Sequence, residues 1–137
     1  MRAVVDVNVL VSGVLSAEGA SADILRAGRD GLFELVVSEM LLAELKRTLG
    51  YPKLRKRIPT EKAATFTNWV RNHATLAEDP PNPPPVGSRN PDDDYLLALA
   101  ISRRAYLVTG GQDLLVLSGD LPILRPAQFA AKLRESR

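Results

Sequence analysis

The chain has 137 residues, a formal net charge of +2 and no cysteine. The absence of cysteine excludes disulfides, thiolate nucleophiles and Cys-based zinc or iron–sulfur sites. Hydrophobic residues make up 45% and charged residues 25%, which is typical of a globular protein. Since no apolar run approaches the length of a membrane span, we expect a single domain over residues 1–137, located in the cytoplasm and with no membrane partner.

The first half of the chain predicts alternating strands and helices. Residues 3–7 are a β-branched run, which predicts a buried strand entering a loop or helix. A helix over 21–29 and a strand over 33–37 follow. Ser38 is a suitable N-cap for a helix that ends near residue 49, and Glu44 falls near the edge of its leucine stripe.

The second half continues this alternation after residues 50–52 break the helix. The predicted elements are, in order, a helix over 60–73, a proline-rich loop over 79–91, a buried helix with Asn90 as its N-cap, strands over 106–108 and near 123, and a final helix from about 127. Strands alternating with helices predict an α/β fold, a three-layer α/β/α sandwich with a mostly parallel central sheet.

Two acids fall where such sheets bind ligands, beyond the carboxyl ends of the strands. Asp6 ends the first strand, and Asp113 lies just beyond the strand over 106–108. A carboxylate beside a buried strand costs several kcal/mol unless it is paired or bound to a cation. Capping of the following helix or turn would also explain Asp6, and Glu44 alone would most simply face solvent.

Three consecutive acids, residues 92–94, begin the helix after the proline-rich loop. Acids stabilise a helix N-terminus, but three in a row exceed that need because adjacent like charges repel. Asp93 shares a helix face with Leu96, Leu97 and Ala100, so we expect it to point toward the buried side.

Several carboxylates at one sheet edge cannot all stay ionised without a cation. Oxygen ligands suit Mg²⁺ or Mn²⁺, and such an ion can generate a hydroxide that attacks a phosphodiester. Nucleophilic catalysis and triphosphate chemistry are not indicated, because the chain lacks a GxSxG elbow and a GxxxxGK[ST] loop.

Four segments together resemble the PIN-domain family, in particular the small stand-alone bacterial and archaeal proteins described as toxin components of toxin–antitoxin systems. They are VVDVNVL at 4–10, SEMLLAEL at 38–45, NPDDD at 90–94 and YLVTGGQDLL at 106–115. The resemblance implies an endoribonuclease that depends on Mg²⁺ or Mn²⁺. It implies an antitoxin partner and suggests a homodimer.

The resemblance also assigns the site residues. The catalytic and metal-binding acids are Asp6, Glu44, Asp93 and Asp113, and the supporting residues are Asn8, Asp94 and Thr109. Val7 and Gly111 depart from the family pattern, in which relatives usually carry Thr and Asp. The absence of an acid at Gly111 motivates an alternative, a catalytically weak or inactive PIN-like module that binds RNA or protein.

A basic cluster follows the helix that contains Glu44. Its charges allow a patch that faces RNA phosphates, although composition alone favours an ordinary solvated surface. The residues are Lys53, Arg55, Lys56 and Arg57. A phosphatase of the haloacid dehalogenase kind also begins with a strand-end Asp, but Asn8 stands where that family needs a second Asp.

Overall fold

The central sheet contains five short strands in a computed structural model that describes residues 1–81, 91–119 and 121–136. Their order across the sheet is β3-β2-β1-β4-β5, and every pairing is parallel. The strands are β1 (Arg2–Val5), β2 (Glu34–Val37), β3 (Thr75–Leu76), β4 (Tyr106–Val108) and β5 (Ile123–Leu124). This confirms the predicted α/β fold with its parallel sheet.

Helices flank the sheet, as expected when right-handed crossovers join parallel strands. They are α1 (Val7–Leu15), α2 (Ala20–Arg29), α3 (Glu39–Leu49), α4 (Pro52–Arg55), α5 (Thr60–His73), α6 (Asp94–Ser102), α7 (Gln112–Leu115) and α8 (Pro126–Glu135), and a 3₁₀ turn spans Pro91–Asp93. Helix α3 packs against α1 and α5, whereas α6 packs on the central strands β1 and β4. No helix within these described ranges is long and apolar enough to cross a membrane.

Several predicted elements form for the expected reasons. The Ser38 hydroxyl accepts a hydrogen bond from the backbone N–H of Leu41 at 3.3 Å, so it caps α3 as predicted. Helix α6 buries five consecutive residues, 96–100, which confirms the predicted buried helix. The predicted cap Asn90 lies outside the described residues, as does most of the proline-rich loop.

Other boundaries differ from the sequence prediction. Strand β1 ends at Val5 rather than at residue 7, because Asp6 is the N-cap of α1 and the chain becomes helical at once. The predicted first helical turn over 92–94 is wrong in detail, since Pro91–Asp93 is a 3₁₀ turn and α6 begins at Asp94. The prediction also missed α4, α7 and β3, each of four residues or fewer.

Candidate functional site

Asp6 lies at the carboxyl end of the central strand and is buried, with 6% of its surface exposed. Its backbone N–H donates to the carbonyl of Val108 on the neighbouring strand β4 at 2.9 Å. Its carboxylate accepts hydrogen bonds at both oxygens, from the Thr109 hydroxyl at 2.7 Å and from the backbone N–H of Asn8 at 3.4 Å. Asp6 therefore caps α1 and is also held from β4.

Thr109 connects Asp6 to the turn that follows β4. The Thr109 side chain is fully buried, and its hydroxyl accepts a hydrogen bond from the backbone N–H of Gly111 at 3.0 Å. Because the hydroxyl donates to Asp6 at the same time, it fixes the carboxylate relative to the turn. The structure thus brings Thr109, a predicted supporting residue, into direct contact with Asp6.

Glu44 lies on α3 and is half-buried. Its carboxylate accepts a hydrogen bond from the hydroxyl of Tyr95, in the first turn of α6. Burial and this hydrogen bond raise the pKa of the Tyr95 hydroxyl, so the tyrosine stays protonated and continues to donate. Glu44 therefore faces another helix, contrary to the expectation from its helix alone.

Asp93 is half-buried at the start of α6. Burial, followed by the negative charge of Asp6, raises the pKa of Asp93 to about 6. The charges of Glu44, Asp113 and Asp92 act in the same direction. A carboxylate that feels all of these charges must lie near them, so the structure gathers the predicted acids into one negative region. We call Asp6, Glu44, Asp93 and Asp113 the acid cluster.

The last member of the acid cluster and the other predicted site residues differ in their exposure. Asp113 and Asp94 are half-buried in the first turns of α7 and α6. Asn8 is exposed, and the contact it makes with Asp6 uses its backbone. Gly111 precedes α7 with an ordinary extended backbone, φ −78° and ψ 128°, so this position does not require glycine.

The donor atoms of the acid cluster are of the kind that a hard divalent cation binds. Burial and then neighbouring negative charge raise the pKa of Asp93, and such a cation would relieve the charge repulsion. No three acidic or histidine side chains in the described part of the chain stand close enough to share one ion. The negative charge and the oxygen donors of the cluster thus fit Mg²⁺ or Mn²⁺. For several of its carboxylates to bind one ion, they would have to move closer together.

The predicted RNA-binding residues lie elsewhere on the surface. All four are exposed, two of them on α4 and two just after it. Helix α3 has 11 residues, which corresponds to a length of about 16 Å between its capped start and the turn leading to α4. The basic cluster formed by Lys53, Arg55, Lys56 and Arg57 thus follows the far end of α3.

The family of the chain is clear from its sequence. The PIN domain family matches residues 2–113, which is most of the chain, and the protein belongs to this family. The match spans the whole acid cluster and confirms the predicted resemblance. No curated protein matches the chain at a significant level.

Two solved structures have a similar fold. A chain in the crystal structure of VapBC2 from Rickettsia felis, bound to a DNA fragment from the promoter, is 13% identical with a TM-score of 0.64, covering 91% of this chain and 98% of that one. PAE2754 from Pyrobaculum aerophilum is 15% identical with a TM-score of 0.68, covering 98% of this chain and 96% of that one. At these identities the likeness is one of fold.

Proposed function

We propose that this protein is an Mg²⁺- or Mn²⁺-dependent endoribonuclease and the toxin of a type II toxin–antitoxin pair. The observation that carries the proposal is the acid cluster, in which burial and then neighbouring negative charges raise the pKa of Asp93 to about 6. Membership of the PIN domain family supports a nuclease, and the acid cluster lies at the edge where parallel sheets bind ligands.

The four acids of the cluster would hold the metal ion directly or through water. When bound, the ion would lower the pKa of a water molecule and stabilise the displacement at phosphorus. Thr109 and Tyr95 hold two of the carboxylates in place, while Asp113 completes the cluster or orients the attacking water. Asn8 and Asp94 are supporting residues at its border.

The partners follow from the same proposal. RNA is the substrate, and the exposed basic cluster after α3 would contact its phosphates. The fold similarity to a chain of VapBC2 supports a protein partner, and we propose an antitoxin that covers the acid cluster. A homodimer and a cytoplasmic location remain predictions from the sequence.

A cleavage assay with purified protein tests the enzymatic function. We expect cleavage of single-stranded RNA with Mg²⁺ or Mn²⁺ and none with a chelator. Asp6→Asn and Asp93→Asn should each lower the rate by at least about 100-fold, since loss of even an outer-shell partner of a metal costs 10–100-fold. The matched control is Asp30→Asn. Asp30 is an exposed acid that forms an ion pair with Arg29, so this variant should cleave RNA like the wild type.

Unchanged activity in both cluster variants would reject this site. The alternative function, an inactive PIN-like module, is favoured by Gly111, where the backbone would accept the acid that relatives carry. Titration of Mn²⁺ into the wild-type protein distinguishes the two functions. Absence of binding at millimolar metal would support the inactive module, whereas binding that Asp6→Asn abolishes would support the nuclease.

A further inference from the structure

Positive charge is concentrated in one segment of the chain. Residues 46–71 contain eight Lys and Arg residues and a single acid, Glu61, although the whole chain has 18 basic and 16 acidic residues. This segment carries a net charge of +7 and the remainder carries −5, which together give the +2 of the chain. It comprises the end of α3, the short helix α4 and most of α5.

A groove of about 380 Å³ lies between these three helices, and we call it the basic groove. Its volume is within the range of ligand-binding pockets. Its charged and polar lining consists of Lys46, Arg55, Arg71, Thr60, Thr67 and Asn68. The groove therefore combines cationic side chains with hydroxyl and amide groups.

Two of the three cations are available to a ligand. Arg71 donates two hydrogen bonds to the carboxylate of Glu39, at 2.9 and 3.1 Å, so its charge is compensated. Across residues 1–81, 91–119 and 121–136, neither Lys46 nor Arg55 forms an ion pair. Both side chains are exposed, so an anion in the groove would meet two uncompensated positive charges.

A simpler role exists for Arg55 alone. A Cβ placed on Gly50 would lie 3.9 Å from Nη2 of Arg55, so the guanidinium lies near the C-terminal end of α3. A cation there interacts favourably with the helix dipole. That role does not explain Lys46, the polar side chains of α5 or the extra charge of the segment.

We propose that the basic groove binds the phosphodiester backbone of RNA, at an anchoring site separate from the acid cluster. The choice of RNA as ligand rests on the proposed ribonuclease function. Cations, hydroxyls and amides are the usual partners of phosphate and sugar groups. Exposed Lys53, Lys56 and Arg57 lie next to Arg55 in the chain, and this additional positive charge favours a polymer over a single phosphate ion.

The groove would recognise charge and not base sequence. None of the described residues that line it is aromatic, and binding of single strands without aromatic side chains lacks base stacking. Neutralisation of phosphates by Lys and Arg releases counterions, so the affinity should fall steeply with salt. The salt dependence of binding therefore reports how many phosphates the groove contacts.

The test measures binding of a short labelled single-stranded RNA by fluorescence anisotropy, with a chelator present and over a series of KCl concentrations. We expect Lys46→Gln with Arg55→Gln to reduce the slope of log affinity against log salt by about 1.4, since each single-strand phosphate contributes about 0.7. Lys46→Arg with Arg55→Lys keeps both charges and should retain the wild-type slope.

The matched control removes the same charge elsewhere, with Arg103→Gln and Arg134→Gln. Both residues are exposed outside the basic segment, Arg103 as the C-cap of α6 and Arg134 on α8. An equal loss of slope in this control, or an unchanged slope in the groove variant, would overturn the proposal. Because no metal is present, the result is independent of cleavage. If RNA is not cleaved but the groove variant still shows the smaller salt slope, the nuclease function is rejected and the proposed RNA-binding site is retained.

A second measurement needs no substitution. When the RNA is titrated into the ¹⁵N-labelled wild-type protein, the amide signals of Gly50, Thr67 and Asn68 should shift more than those of α8. Inorganic phosphate at matched ionic strength should shift them weakly. If these signals stay in place, or if phosphate saturates them and RNA does not compete, the groove is not an RNA site.

Discussion

The acid cluster and the basic groove differ in sign of charge and in how their side chains are held. Asp6 is buried and bonded to Thr109, and Glu44 accepts from Tyr95 on another helix. Lys46 and Arg55 are exposed and make no ion pair in the described part of the chain. The acid cluster thus holds two of its carboxylates by hydrogen bonds, whereas the basic groove presents two exposed cations without such partners among the described residues.

This difference suits the two tasks that we propose, catalysis at the acid cluster and RNA binding at the basic groove. A reaction needs groups held within fractions of an ångström of a productive geometry, which buried hydrogen bonds provide. Attraction of a polyanion needs charge at the right place on the surface, which long exposed side chains provide. Substitutions around the acid cluster should therefore change turnover, whereas those in the basic groove should change affinity and its salt dependence.

The largest effect in this comparison is expected from Thr109→Val, which removes the hydroxyl that holds Asp6. Loss of such a positioning partner lowers metal affinity or activity by roughly 10–100-fold. We expect this loss in Mg²⁺-dependent cleavage and in Mn²⁺ binding, with the salt slope of RNA binding unchanged. Thr109→Ser keeps the hydroxyl and should restore most of the activity. A packing role would instead spare the Val variant, which keeps the shape of the side chain, and impair the Ser variant, which loses a methyl group.

A smaller effect is expected from Tyr95→Phe, which removes the donor to Glu44 and leaves the ring in place. One such hydrogen bond contributes about 1 kcal/mol to stability, so the free energy of unfolding in urea should fall by about that amount. Tyr51→Phe, at an exposed tyrosine, is the matched control and should leave the stability unchanged. Equal stability of the Tyr95 variant and the wild type would mean that this bond is not formed in solution.

The smallest effect concerns pH and the metal-free protein. The folded-state pKa of Asp93 is raised to about 6, so its protonated form favours the folded state. This stabilising contribution is complete below the ordinary pKa near 3.8 and is lost as pH rises through about 6. In thermal melts with a chelator, Asp93→Asn should match the wild type near pH 4 and melt at a higher temperature above pH 6.

Asp30→Asn, which lies outside the acid cluster, should show no such gain over the same pH range. A variant at Asp93 that melts below the wild type at neutral pH would contradict the burial and charge repulsion that raise the pKa of Asp93. Added Mg²⁺ or Mn²⁺ should reverse the difference, because the cation stabilises the ionised carboxylate of the wild type.

Local sequence patterns predicted the elements that depend on local physics. Ser38 caps α3 because its hydroxyl reaches a backbone N–H three residues on, a contact set by spacing alone. The buried run 96–100 is visible in composition. The two residues of β3 are too few to show the periodicity of a strand. This strand forms through its parallel pairing with Val36 and Val37, which the local sequence does not reveal.

The candidate site was predictable in the same measure. Strand ends placed Asp6 and Asp113, and helix spacing selected Asp93. No sequence pattern indicated Tyr95, because its role depends on contact with Glu44, 51 residues away on another helix. Likewise, Lys46 and Asn68 lie on different helices, and only the packing of α3 against α5 brings them to one groove.

The pairing of β1 with β4 also determines how much of the chain must exist before the acid cluster can assemble. The carboxyl end of β1 joins Val108, so the support of Asp6 by Thr109 requires nearly the entire chain to have been made. A nascent chain that still lacks β4 also lacks Asp113. Under the proposed function, a growing chain therefore could not assemble its acid cluster until most of its own translation is complete.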